Sequence, residues 1–251
     1  MSFNAAIKSI YLVGDHPIEP FIGAAYTEAR ATDFRLVMVG INTHISDEDM
    51  PRAKPSWFSG GFRGGDHHFF RQAHRDGDAL AAALASAARG FEKLTYRPEG
   101  KAGFYVTNAI KRHMAKEYKR ARRLSPKDYA LHRPQWEREL RAMADHGVLP
   151  HLIVLYGGEV WNQHGWRMLR PGEEHYASLE AAGLRVTKYD VATGNCDTHA
   201  ARVGLEAGGQ QHELFLVRLS RPAHRNKRVT HDAKWILRQS TFRRLAGLPP
   251  A

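Results

Sequence analysis

Gly40-Ile41-Asn42-Thr43-His44 places a side-chain amide and an imidazole two residues apart, directly after the apolar run Leu36–Val39. An amide offers one acceptor and two donors, enough to read a planar polar edge or to hold a water. Two further segments end in the same way. Phe104-Tyr105-Val106-Thr107-Asn108 closes in a second amide, and Leu219-Ser220-Arg221-Pro222-Ala223-His224 runs into a guanidinium and a second imidazole. Arg221 or His224 is suited to stabilising an anion as it forms. Each residue also has a plainer reading. Asn42 after Gly40 can be a turn former, and Asn108 can cap a helix starting at Ala109.

These groups must be held by the elements before them. A short unbroken apolar run ended by glycine or polar residues reads as a buried strand opening into a loop. Such runs recur at Leu36–Val39, Phe104–Thr107, Leu152–Tyr156, Leu184–Asp190 and Glu213–Leu219. Helical patterns lie between them, over 69–89, 126–146, 171–182 and 230–245. Ser125 is a good N-cap for the second, with Pro126 at its first position and Gly147 just beyond its end. Strands alternating with helices imply a mostly parallel sheet covered on both faces. The expectation is one α/β domain over 1–251, a three-layer α/β/α sandwich around a central, mostly parallel sheet of four or five strands. In such sheets ligands bind at the carboxyl ends of the strands, where all three polar segments fall. The stretch from Met50 to His68, rich in glycine, proline and aromatics, reads as a long functional loop.

Charge narrows the partner. The 251 residues hold 37 Lys and Arg against 26 Asp and Glu, a net +11. Two runs concentrate it. Residues 111–123 carry seven Lys or Arg, among them Lys111 and Lys119, and residues 218–228 carry five, among them Arg225 and Lys227. Clustered basic charge directly after strands points to an anionic polymer. The single cysteine, Cys196, excludes an intrachain disulfide and any four-cysteine metal or iron–sulfur site. No run of 18 apolar residues suggests a membrane span. The first twenty residues lack a secretory layout. A cytoplasmic protein is expected.

At the three polar segments the chain resembles the uracil-DNA glycosylase superfamily. Gly40-Ile41-Asn42 is similar to the superfamily's first motif, in the Gly-x-Asn form of the mismatch-specific enzymes. Asp66–Gly77 resembles the aromatic-rich segment that follows it. Thr107-Asn108-Ala109-Ile110-Lys111 resembles the base-recognition strand, and Leu152–Gly158 the apolar strand and glycine turn before the next helix. Ser220-Arg221-Pro222-Ala223 stands where the last motif would lie. The likeness covers about residues 30 to 240. Two positions depart from the pattern: Thr43 stands where proline is usual, and Arg221 where histidine is usual.

The resemblance implies hydrolysis of the N-glycosidic bond of uracil, and of other deaminated bases as further candidates, in DNA. The base would leave the stack and enter a pocket. Asn108 would bond its Watson–Crick edge, and Phe58 would stack on it, with Phe62 and Trp57 as alternatives. Backbone amides near Gly40, Ile41 and Thr43 would bind a base carbonyl. Asn42 would place the attacking water, with His44 assisting or replacing it. Arg221 or His224 would offset charge on the departing base. No metal or other cofactor is implied, and a monomer is expected. The loop 224–228 carries no large apolar wedge to hold a duplex open, so single strands or weakly paired targets are the expected substrates. Two other readings are a non-catalytic nucleic-acid binder of the same fold, and a metal-dependent nuclease using Asp47, Glu48, Asp49 and nearby histidines.

Overall fold

In a computed structural model of the chain, the residues described are 1–11, 20–22, 26–27, 35–40, 104–110, 125–173, 175–193, 199–219, 235–236, 238–245 and 250. The helix expected over 69–89 lies outside them. Strands β1 (Phe21–Ile22), β2 (Leu36–Gly40), β3 (Phe104–Asn108), β4 (Leu152–Tyr156), β5 (Leu184–Thr193), β6 (His199–Ala207) and β7 (Gln210–Leu219) form one sheet. Its order is β1-β3-β2-β4-β7-β6-β5.

The sheet is wider than the four or five strands expected, and less parallel. The run β3-β2-β4-β7 is parallel throughout. The remaining pairs, β1 with β3, β7 with β6 and β6 with β5, are antiparallel. The fold is therefore mixed α/β. All five expected strands form, and β1 and β6 are additional. The β6–β7 connection is only Gly208-Gly209, with φ of 57° and 77°. Two consecutive residues in the left-handed region make the tight hairpin turn that matches strand twist, and glycine adopts it without a Cβ penalty.

Among the described residues the helices pack mainly on one face of the sheet. They are α1 (Phe3–Ile10), α2 (Pro126–Asp145), α3 (Gly158–Val160), a π-helical segment (Trp161–Trp166), α4 (Arg167–Leu169), α5 (Tyr176–Ala181) and α6 (Ser240–Leu245). α2 starts as its sequence dictates. The Ser125 side chain accepts from the Asp128 amide, the Asp128 carboxylate accepts from the Ser125 amide, and Pro126 occupies the first turn. It ends at Gly147 (φ 65°), where Val148 N–H donates to the Met143 carbonyl and Gly147 N–H to Ala144. These are the two bonds of a Schellman termination. α5 is shorter than expected because Gly172, at φ 86°, holds the chain in a turn after Pro171.

Alternation along the strands divides the core. Val37, Val39, Tyr105, Ile153, Leu155, Leu214 and Leu216 face a cluster with Phe3 and Ile7 of α1 and Tyr129, Trp136, Leu140 and Met143 of α2. The intervening residues Leu36, Met38, Leu152, Val154, Phe215 and Val217 are equally buried, and Phe215 meets Phe242 of α6 at 5.9 Å between ring centroids. Strands buried on both faces read as continuous apolar runs, which is why β2 and β4 were visible in the sequence. Among the described residues no helix is long and apolar enough to cross a membrane.

Candidate functional site

The four parallel strands all release their carboxyl ends along one edge of the sheet. From β2 the chain moves to β3 on one side, then to β4 on the other. The order of strands thus reverses around β2, which makes its carboxyl end a switch point of the kind where α/β sheets bind ligands. Gly40 and Asn108 are register partners at this end. The Ala109 amide donates to the Gly40 carbonyl at 2.8 Å, so the pairing continues as the two loops begin. Asn108 is 3% exposed and Thr107 2%. Asn108 is the last residue of β3, and Ala109 and Ile110 follow as a bend.

Of the sequence-derived site residues, only Gly40 and Asn108 are described, and the structure brings them together. Ile41, Asn42, Thr43, His44, Phe58, Lys111, Lys119, Arg221, His224, Arg225 and Lys227 lie outside the described residues.

At the β4–β7 side of the same edge stands Arg218, in the sequence one charge of the basic run 218–228. Its guanidinium lies across the backbone of Gly158: a Cβ there would stand 2.9 Å from Nη2 and 3.2 Å from Cζ. Nη1 lies 3.4 Å from His199 Nδ1. The His199 ring in turn packs against Trp161 at 5.8 Å. Among the described residues Arg218 has no carboxylate within ion-pair distance, whereas Arg141, Arg170, Arg185, Arg202 and Arg244 each have one. A half-buried guanidinium with no carboxylate beside it among the described residues is equipped to meet an anion. Glycine at 158 is the sequence signal, legible only once its neighbour is known.

Behind β3 lies a second polar group. Glu139 of α2 is fully buried. Its Oε1 accepts a hydrogen bond from Thr107 Oγ1 at 3.3 Å and another from the Tyr11 hydroxyl. Burial pushes its carboxyl well above the usual carboxylate range, because a charge in a dry interior loses its hydration. Between α2 and the π-helical segment, Arg133 Nη2 donates to Gln163 Oε1 at 3.1 Å. There the His164 ring is enclosed by Tyr129 and Trp136. Gly165 explains the close approach of this segment to the sheet, since a Cβ there would stand 2.8 Å from Leu155 Cδ1. Trp136 and Trp161 are core residues. Among the described residues no group of three or more His, Cys, Asp or Glu is placed to hold a metal ion.

Compared with known proteins, the chain matches no protein-family model and no curated protein sequence. What fold and site define is therefore a class: a mixed α/β protein with a parallel four-stranded centre and a polar carboxyl edge.

Proposed function

We propose that this protein is a DNA glycosylase that hydrolyses the N-glycosidic bond of uracil, with other deaminated bases as further candidates. The observation that supports this reading best is the pairing of Gly40 with Asn108 at the switch point. It sets Asn108, the base reader in this reading, beside the start of the loop that carries Asn42 and His44. In this reading a flipped base lies over the carboxyl ends of β2 and β3, with Asn108 on its Watson–Crick edge and Phe58 stacked on its face. Backbone amides at Gly40 to Thr43 hold a carbonyl. Asn42 or His44 orients a water that attacks C1′ of the sugar. The base departs as an anion, its charge offset by Arg221 or His224, and an abasic sugar remains. Lys111, Lys119, Arg225 and Lys227 bind phosphates, joined by Arg218. The architecture we infer is a three-layer α/β/α sandwich, the protein acts as a monomer without metal, and its substrates are single strands or weakly paired sites.

The test is excision from a labelled single-stranded oligonucleotide with one uracil, in the presence of a chelator. The expected result is an abasic product that breaks only after alkali. No product from uracil, hypoxanthine or xanthine, together with salt-dependent binding, would replace the enzyme by a non-catalytic binder of nucleic acid. Direct backbone cutting that the chelator abolishes would replace it by a metal-dependent nuclease.

A further inference from the structure

We propose that Glu139 is a positioning residue for Asn108, acting through Thr107 at the end of β3; its catalytic meaning rests on the glycosylase reading. Glu139 lies in the middle of α2 and is wholly inside the protein. One of its oxygens accepts from two hydroxyls, Thr107 on β3 and Tyr11 at the end of α1. Three elements distant in sequence thus meet at a single carboxyl group. A buried carboxyl is costly where an apolar side chain would fill the same space, so packing alone does not account for it. What it adds is direction. Thr107 and Asn108 are consecutive strand residues, so their side chains leave opposite faces of the sheet. Beyond Asn108 the described ladder continues only through the Ala109 amide on Gly40. Anchoring Thr107 from the helix side fixes the backbone from which the Asn108 side chain departs on the other side. Burial pushes this carboxyl well above the usual carboxylate range, which favours its uncharged form as the partner of the two hydroxyls.

A base reader misplaced by about 1 Å loses on the order of a hundredfold in rate. The decisive variant is Thr107→Val, which keeps shape and removes the hydroxyl. Thr107→Ser restores the donor, and Glu139→Gln keeps an acceptor for both hydroxyls. Full-length protein is measured in three ways: single-turnover excision of uracil, oligonucleotide affinity, and the side-chain amide NMR signals of Asn108. The expected result for Thr107→Val is a rate lower by about ten- to a hundredfold. Affinity stays within about twofold, and the Asn108 amide signals shift or broaden. Thr107→Ser and Glu139→Gln should return the rate to within about threefold and restore the signals. Wild-type rate in Thr107→Val overturns the inference, as does a rate loss that Thr107→Ser and Glu139→Gln share in full. If the wild-type protein excises no base, the glycosylase reading fails, and the NMR arm still decides the anchoring. Unchanged Asn108 signals in Thr107→Val then overturn it.

Discussion

Gly158→Ala separates packing from charge at the sheet edge. The new methyl carbon would stand 2.9 Å from Nη2 and 3.2 Å from Cζ of Arg218, well inside contact distance. The atoms it meets are the far end of a flexible side chain, which can swing aside. Alanine also favours a helix over glycine by up to about 1 kcal/mol. The fold should therefore hold its stability or gain slightly. What is lost is the place of the guanidinium. A charge-assisted hydrogen bond contributes about 1.5–3 kcal/mol. Arg218 is half-exposed, so screening brings a phosphate contact down to about 1 kcal/mol, roughly a fivefold change in affinity.

The assay is fluorescence anisotropy with a short labelled single strand between about 50 and 200 mM salt, beside thermal melts. Gly158→Ala and Arg218→Ala should each weaken binding about fivefold and flatten the logarithmic salt slope by about 0.7. The double variant should lose little more, because both changes remove the same contact. Gly165→Ala provides the contrast. Its Cβ would stand 2.8 Å from Leu155 Cδ1 and 3.5 Å from Leu216 Cδ2 in the dry core, where nothing can swing out. Overpacking of this kind costs about 1–3 kcal/mol, with the affinity of the folded protein unchanged. Wild-type affinity and slope in Arg218→Ala would refute the reasoning, as would additive losses in the double variant.

Two further outcomes concern the scaffold. Tyr26 is fully buried and its hydroxyl donates to the Val148 carbonyl at 2.9 Å. Tyr26→Phe should cost about 1–2 kcal/mol, read as a lower midpoint in urea, and an unchanged midpoint would show that the bond contributes nothing net. His151 Nδ1 accepts from the Arg35 amide at 3.1 Å, and its pKa is lowered by burial first, then by Arg35 and His212. The unfolded chain therefore binds this proton more readily than the folded one. The His151 contribution is present above its ordinary pKa of 6.5 and is lost as pH falls through the depressed folded value. Melts across this range should show the wild-type protein losing stability toward acid more steeply than His151→Asn, whose amide oxygen keeps the acceptor; parallel curves would remove His151 from that account.

Local chemistry in the sequence determined a good deal. The apolar runs Leu36–Val39 of β2 and Leu152–Leu155 of β4 are short and unbroken, which is how strands buried on both faces read. The start of α2 follows from Ser125, Pro126 and Asp128, and its stop from Gly147, because capping satisfies backbone groups within a few residues. β6 was equally written, in the alternation of Ala201, Val203, Leu205 and Ala207. Its alanines and glycine are weak strand formers, which hides that alternation.

What no local signal carries is the order of strands. Gly40 and Asn108 are 108 − 40 = 68 positions apart, and become register partners only because β3 settles beside β2. Seven strands replace the expected four or five because β1 pairs with β3 at one edge and β6 enters between β7 and β5 at the other. Glu139 reads in sequence as one more charged residue on a long helix. Its burial depends on Tyr11 and Thr107, which arrive from α1 and β3. Arg218 reads as surface charge, yet its position is set by the absence of a side chain at Gly158 across the edge. Capping, turns and strand identity act over a few residues and are fixed by residue type. Register, burial of charge and the meeting of loop ends are properties of the packed sheet, and tertiary structure alone decides them.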